Sequence, residues 1–333
     1  MIRTGVYGSI DSSTVGMVEN ILDVAELDVV GMYSAKTEHS DTKLHLREFD
    51  EEGAFLNNVD AVIAVSPATS LEEIKTLVKS SKHVFFEPAS SYCSTDVTKL
   101  SSIVDEANVK VQAGFHHRFN NTFLSAKPFI VSPRFIQSVN HRRFNSNSEY
   151  CSVLMDMLIN DVDIVLSVVK SNVKNIYASA SAITQMQSVA PDIINARIEF
   201  YNGCVAHFVA SRIAEDDSHK MTFYCRDSYT NIDMLANKAS LVKKRGDVDD
   251  PSFFSQSVGD LSVEQIMVKP NNVYYDEFTS FAKSILYNKS PEVNVAIGEE
   301  DHIVWTVIAL DETQGILCRI ASELFCLAED VMA

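Results

Sequence analysis

The chain has 333 residues, of which 46% are hydrophobic and 22% charged, and this length and composition predict a globular protein of two domains. Its 45 acidic against 28 basic residues give a net charge of −17, which excludes a general affinity for nucleic acid or for anionic membrane surfaces. The six cysteines are scattered without C-x-x-C or zinc-ligand spacing, so we predict reduced thiols and no metal site. We also expect a cytoplasmic protein, because a strand begins at the N-terminus and no uncharged apolar run is long enough to cross a membrane.

Strand-like and helix-like segments alternate over residues 1–118. The predicted strands are IRTGVYGS, DVVGMYS, VDAVIAVS, KHVFFE and VKVQAGF, and the predicted helices between them are VGMVENILDVAEL, SLEEIKTLVKSS and STDVTKLSSIVDEA. Ser70 followed by Glu73 forms a capping-box pattern at the start of the second helix. Alternation of this kind predicts βαβ units and a doubly wound parallel sheet of Rossmann type.

The pattern changes over residues 119–333, where long and often alternating strands dominate. Ala196, Ile198 and Phe200 share one face of a strand whose other face is polar, which predicts a mostly antiparallel sheet with one open face. Asn202-Gly203 indicates a two-residue type I′ hairpin. We expect a strongly apolar helix in SVLMDMLINDVDIVLSVVK, a charged irregular segment over 240–272, and helices in VYYDEFTSFAKSILYNK and EDHIVWTVIALDETQGILCRIASELFCLAE. The second domain is therefore predicted to be of the α+β class.

Three motifs occur in the order typical of one enzyme family. They are VDAVIAVSPATSLEEIKTLVKSSKHVFFEP, GFHHRFNNTFLSAKPFI and DMLINDVDIVLSVV. The chain resembles the Gfo/Idh/MocA family of NAD(P)-dependent oxidoreductases, and in particular a subset of which some members act on UDP-sugars. The resemblance implies a sugar or nucleotide-sugar substrate, and a homodimer or tetramer formed through the open face of the second-domain sheet.

The resemblance places a dinucleotide loop after the first strand. In this loop Gly8, Ser9 and Ile10 stand where the family has G-x-G, but the loop is about two residues too long and Asp11 adds a negative charge. An ordinary strand-to-helix turn is the alternative. After the second strand, Ser34 and Lys36 suit the 2′-phosphate of NADP better than the ribose of NAD, unless the segment is a solvated loop.

The family's E-K-P segment follows the fourth strand, and here it reads Glu87-Pro88-Ala89. The family's catalytic lysine is missing, since proline offers neither charge nor donor, and Lys82 lies across a strand. The resemblance assigns Glu87, with Ser66 and Pro67 after the third strand, to the cofactor. The cofactor is therefore predicted to be NADP or NAD, or to have been lost.

The apolar helix of the second domain carries the family's Asp–His pair as Asp156 and Asn160, spaced one turn apart. Asparagine can hydrogen-bond a hydroxyl but cannot accept its proton. Asp163 extends the same stripe, with Asp161 beside it; a solvated stripe is the alternative. His117 is our candidate for a relocated base, with His116 and His141 as further possibilities.

Acidic residues are absent between Glu106 and Glu149. This span holds six Lys and Arg side chains together with His116, His117 and His141. We predict either an anion-binding surface that contacts substrate or a segment paired with acids elsewhere, such as 247–250. The predicted substrate contacts are Arg118, His141, Arg142 and Asp163.

Two functions remain open on the sequence. One is an NAD(P)-dependent oxidoreductase that acts on a sugar or nucleotide-sugar hydroxyl with an altered catalytic set. The other is a catalytically inactive relative that binds a ligand or assembles with an active partner, because the family's lysine and histidine are both absent.

Overall fold

The computed structural model describes residues 1–10, 14–34, 44, 46–65, 70–88, 94–144, 153–183, 191–244 and 261–293. These residues divide into two compact units, one built from 1–119 and 272–293 and the other from 120–271. The C-terminal helix predicted after residue 298 and the acidic stretch at 247–250 lie outside the described residues.

In the described part of the first unit, five strands form a fully parallel sheet in the order β2-β1-β3-β4-β5. The strands are β1 Ile2–Tyr7, β2 Leu27–Tyr33, β3 Ala61–Ala64, β4 His83–Phe86 and β5 Val111–Ala113. The helices are α1 Val15–Asp23, α2 Glu52–Asn58, α3 Leu71–Lys79 and α4 Ser94–Ala107. This is the doubly wound topology that the sequence predicts, and α2 is an addition to the prediction.

The capping box at the start of α3 is confirmed. Ser70 Oγ accepts a hydrogen bond from the Glu73 backbone N–H at 3.2 Å, and Glu73 Oε2 accepts one from the Ser70 N–H at 2.6 Å. Both contacts satisfy backbone donors that the first turn of a helix leaves without intrahelical partners.

Helix α7 Val273–Leu286 packs within the first unit although it follows the second in sequence. The ring of Phe85 on β4 contacts Phe278 at 4.9 Å and Phe281 at 5.8 Å between ring centroids. The fully buried Glu277 accepts a hydrogen bond from the Phe115 N–H at 2.7 Å. The domain boundary predicted after residue 118 stays a prediction. Helix α7 belongs to the N-terminal unit although the sequence analysis placed it in the second domain.

In the second unit, the described residues form eight strands in the order β13-β12-β11-β10-β6-β9-β8-β7. The strands are β6 Phe135–Arg143, β7 Val173–Ser181, β8 Ile193–Phe200, β9 Val205–Ala214, β10 Ser218–Tyr224, β11 Ser228–Asp233, β12 Lys238–Lys244 and β13 Leu261–Ile266. Every neighbouring pair is antiparallel except β6–β9, which is parallel. The helices are α5 Asn121–Ala126 and α6 Ile159–Val168. The predicted combination of a Rossmann sheet with a large, mostly antiparallel sheet is confirmed.

The alternation of β8 follows the predicted pattern, since Ala196, Ile198 and Phe200 are all buried. The predicted two-residue hairpin after β8 is wrong. Phe200 and Cys204 close a three-residue loop in which only Gly203 has a positive φ, of +83°. Asn202 accepts a hydrogen bond from the Cys204 N–H instead, which favours this longer loop.

The segment 240–272, predicted to be irregular, contains most of β12 and all of β13. These strands form one edge of the sheet, and β13 is largely exposed, so the apolar alternation expected of a strand is weak there. Among the described residues, no helix combines the length and apolar character needed to span a membrane.

Candidate functional site

The first candidate region lies at the carboxyl ends of β1 and β2, the edge where open α/β sheets bind ligands. Gly8 has a φ of +112°, which favours glycine, and its N–H donates to the Tyr33 carbonyl at 2.9 Å. Ser9 Oγ and Ser34 Oγ share a hydrogen bond of 3.2 Å. Two predicted cofactor residues from separate loops are thus brought together, with hydroxyls suited to a ribose or a phosphate.

Ile10 occupies the second glycine position of the family pattern, and its side chain is only 2% exposed. It packs in the hydrophobic core with Val6, Met17 and Val18. The side chain of Ile10 therefore stabilises the fold, and only its backbone is suited to contact a ligand. The remaining loop predictions, Asp11, Lys36, Ser66 and Pro67, lie outside the described residues.

The end of β1 is also close to negative charge. The Tyr7 hydroxyl donates to Glu52 at 3.2 Å, and burial together with the carboxylates of Glu52 and Glu73 raises the pKa of Tyr7. Glu52 and Glu73 disfavour an anion beside Tyr7, so a dinucleotide phosphate would depend on the loop backbone.

Glu87 follows β4 and is half-buried, and burial raises the pKa of its carboxyl group to about 7. A Cβ at Gly114 would lie 2.7 Å from Glu87 Oε1, so residue 114 must be glycine while the carboxyl group keeps this position. The family's lysine is absent after Glu87, and Lys82 does not replace it, because its Nζ donates to the Val59 carbonyl at 2.9 Å.

The two neighbouring histidines lie in a 3₁₀ turn, His116–Phe119, after β5. Their rings contact each other at 4.5 Å, and the ring of His116 contacts Tyr274 at 4.9 Å. Both imidazoles are half-buried. Arg118 Nη1 donates a hydrogen bond to the Glu292 carbonyl at 3.0 Å. One nitrogen of its guanidinium is therefore used in a contact between distant segments of the first unit.

In the second unit, the motif helix begins with a π-helical turn over Leu154–Leu158 and continues as α6. The Ile159 N–H bonds to the Leu154 carbonyl, five residues back instead of four. Such turns are rare and are frequently found at functional sites. Asp156 and Asn160 are therefore not related by the regular helical spacing that the sequence suggests.

Alternate side chains of β6 bind this helix. Asn140 Nδ2 donates to the Met157 carbonyl, and Arg142 Nη2 donates to the Asp156 carbonyl, each at 3.1 Å. These donors stabilise backbone carbonyls within the π-helical turn. Arg142 is thus placed on the helix side of the sheet, as a backbone contact of Asp156.

A buried polar cluster joins α6 to the sheet beneath it. Asp161 Oδ1 lies 2.7 Å from His219 Nε2 on β10, and Asp161 Oδ2 accepts from Ser138 Oγ on β6 at 2.6 Å. Sequence reasoning named Asp161 only as a neighbour of the stripe, and it missed His219 and Ser138. The alternation of β10 and β6 could have indicated that His219 and Ser138 face inward. No local sequence pattern indicated that Asp161 is the partner of both side chains.

The other predicted residues of the second unit lie in different environments. Asn160 is 6% exposed and Asp163 is 1% exposed, so neither belongs to a solvated stripe, whereas Asp156 is half-buried. His141 is one residue from Asn140 in a strand, and its side chain therefore lies on the open face, opposite the helix. The structure brings Asp156 and Arg142 together and places His141 away from them.

The described residues form a Rossmann-type unit and an α+β unit whose large sheet has one open face. This is the two-domain fold class that the sequence predicts. Residues 127–229 match the sequence model of the GFO/IDH/MocA C-terminal domain. The UDP-N-acetylglucosamine 3-dehydrogenase of Acidithiobacillus ferrooxidans is 24% identical over 243 residues, which are 71% of this chain and 75% of that protein.

Solved structures share the fold of this chain. A structure of the Acidithiobacillus ferrooxidans enzyme has a TM-score of 0.79 at 19% identity, covering 92% of this chain and 95% of that one. Scyllo-inositol dehydrogenase from Lactobacillus casei, with bound NAD(H) and scyllo-inositol, has a TM-score of 0.70 at 15% identity, covering 93% and 95%. At these identities, the structural likeness shows the fold.

The predicted resemblance to the Gfo/Idh/MocA family is confirmed: residues 127–229 match the family's C-terminal domain, and the similar proteins are dehydrogenases.

Proposed function

We propose that the protein is an NAD(P)-dependent oxidoreductase that acts on a hydroxyl of a sugar or nucleotide sugar. The observation that carries the proposal is the motif helix, which carries Asp156 and Asp163, has Asn160 in place of the family's histidine, and is fixed by side chains from β6. The relationship to a nucleotide-sugar dehydrogenase supports the substrate class.

The described residues fit the nucleotide half of such a cofactor. Gly8 keeps the backbone conformation of the loop, and Ser9 and Ser34 present a pair of hydroxyls at the adjacent strand ends. When bound, the nicotinamide would supply the hydride acceptor or donor. The lack of an acid at Ser34 favours NADP, because an acidic residue at this point normally binds the ribose hydroxyls of NAD.

Thermal denaturation with NAD⁺, NADH, NADP⁺ and NADPH tests the cofactor. A nucleotide at about 100 times its dissociation constant should stabilise the protein by about 2.7 kcal/mol. Ser34→Asp should shift preference towards NAD, and Ser228→Asp, at the start of β11 in the other unit, is the control. No stabilisation by any of the four nucleotides would contradict the proposal.

The second candidate is a catalytically inactive ligand-binding or assembly subunit. The replacement of the family's lysine and histidine by Pro88 and Asn160 favours it. Nucleotide binding without turnover on any of a panel of sugars and UDP-sugars would support this candidate.

Self-association through the open face of the second sheet is also part of the proposal. Phe135, Tyr224 and Tyr229 lie side by side on three neighbouring strands, with ring centroids 5.9 and 5.6 Å apart, and the first two are about 40% exposed. Sedimentation velocity should show a homodimer or tetramer. Tyr224→Lys should dissociate it, and Leu235→Lys, at an exposed turn, should not.

A further inference from the structure

We propose that His83 is an acid-sensitive latch between β4 and β5, closed while its imidazole is neutral and opened when the ring is protonated. His83 is the first residue of β4, so it lies at the amino ends of the parallel strands. This is the edge opposite the one where open α/β sheets bind ligands. The inference goes beyond the proposed function and does not depend on it, because it concerns a contact within the first unit.

The latch is a hydrogen bond from a backbone amide to a side chain. The Lys110 N–H donates to Nδ1 of His83, and the Lys110 carbonyl accepts from the Val84 N–H, both at 2.9 Å. In a regular parallel ladder, the backbone carbonyl that precedes His83 would accept from the Lys110 N–H. The imidazole takes the place of that carbonyl. A ring nitrogen accepts a hydrogen bond only through its lone pair, so Nδ1 carries no proton in this contact.

Strand β5 depends on few contacts of this kind. It has only three residues, Val111–Ala113, and its only strand partner among the described residues is β4. It is followed by the 3₁₀ turn His116–Phe119, which contains the predicted site residues His117 and Arg118. Loss of the Lys110 contact therefore loosens the amino end of the strand that precedes this turn.

The surroundings of His83 favour the neutral ring. Burial lowers the pKa of His83, and the positive charge of Lys110 lowers it further, whereas the carboxylate of Asp60 raises it. Asp60 is also paired with Arg3 at 2.8 Å, so its negative charge is shared between two partners. The neighbouring Lys82 donates from Nζ to a backbone carbonyl at 2.9 Å.

The latch is closed at pH values above 6.5 and opens on the acid side. Because the folded-state pKa of His83 is below its ordinary value of 6.5, the neutral ring contributes stability that is fully present above pH 6.5. That contribution is lost as the pH falls through the folded-state pKa. Protonation places a hydrogen on Nδ1, so two donors then face each other and the Lys110 N–H loses its acceptor.

Backbone amide hydrogen exchange of the full chain at about pH 8 and about pH 5 tests the latch. After correction for the intrinsic pH dependence of exchange, protection of the Lys110 amide should fall about fivefold to tenfold at the lower pH, the loss of one hydrogen bond. His83→Asn places an amide oxygen near the position of Nδ1 and does not titrate, so Lys110 should stay protected at both pH values. His83→Phe keeps a ring without an acceptor, so Lys110 should have the lower protection at both.

His207→Asn, on β9 in the other unit, is the control. Nε2 of His207 faces the Asn195 amide oxygen, which can only accept, so this hydrogen bond survives protonation of the ring. The variant should leave the pH dependence at Lys110 unchanged. Equal protection of Lys110 at the two pH values in the unmodified protein would overturn the proposal. A fall that persists in His83→Asn or His83→Phe would also overturn it, because another group would then be titrating.

Discussion

Glu87→Gln probes the raised pKa of the buried carboxyl group after β4. The pKa of Glu87 lies near 7 in the folded chain, against an ordinary value of 4.5, and burial is the cause. Because the folded-state value is the higher one, the protonated group contributes stability that is fully present below about pH 4.5 and is lost as the pH rises through about 7. The amide side chain of the variant is neutral at every pH, so the variant does not lose this contribution to its free energy of unfolding as the pH rises.

The difference between the two pKa values corresponds to at most about 3.4 kcal/mol. Water penetration and relaxation reduce such values. We therefore expect the free energy of unfolding of Glu87→Gln, relative to that of the unmodified protein, to rise by about 1–3 kcal/mol between pH 5 and pH 8. Urea denaturation of both proteins at each pH measures this difference, and the comparison cancels the titration of groups that do not interact with Glu87. Glu48→Gln, at an exposed side chain of the same unit, is the control and should show no pH-dependent gain. An equal free-energy difference at pH 5 and pH 8 for Glu87→Gln would refute the reasoning.

Three further predictions follow from backbone and site geometry. Gly5→Ala should destabilise by about 1–3 kcal/mol, because its Cβ would overlap the buried ring of Phe55. Gly16→Ala, with open space around it in a helix, should stabilise by up to about 1 kcal/mol, and equal urea midpoints would contradict this. Ser70→Ala should cost about 1 kcal/mol through loss of the helix cap, and an unchanged melting temperature would speak against the cap. Asn160→His places an imidazole at the family's histidine position and should raise kcat on a sugar or UDP-sugar about 10²–10⁴-fold, and unchanged turnover would argue against proton transfer at position 160.

The N-terminal fold could be predicted from sequence because its signals are local. Short apolar strands alternate with helices, and the capping pattern at Ser70 marks a helix start. Helix α2 was missed because seven residues with Gly53 among them carry little periodicity. Helix α7 was predicted as a helix, but its place in the first unit depends on tertiary contacts between distant aromatic side chains, which no local pattern encodes.

In the second unit, alternation predicted the central strands and failed at the edge. Strand β13 is exposed for most of its length, and its sequence LSVEQI contains Ser262, Glu264 and Gln265 among its apolar residues, so the apolar alternation by which a strand is normally recognised is too short to identify it. The Asn-Gly signal correctly placed a turn but gave the wrong type, since the Asn202 side chain hydrogen-bonds the backbone of Cys204. Turn chemistry therefore located the hairpin without fixing its length.

The candidate site shows why residue spacing gives only part of the chemistry. Asp156 and Asn160 were assigned from the family motif, whose one-turn spacing the π-helical turn then alters. Asp161 contacts His219, 58 residues away, and the position of His219 is set by the register of β10 against β6. Comparison with the family motif shows that the histidine at position 160 is replaced. The fold places the imidazole of His219 against Asp161, the next residue of the same helix. Comparison with a motif position by position therefore detects the histidine missing at position 160 but not the contact that the fold creates at the next residue.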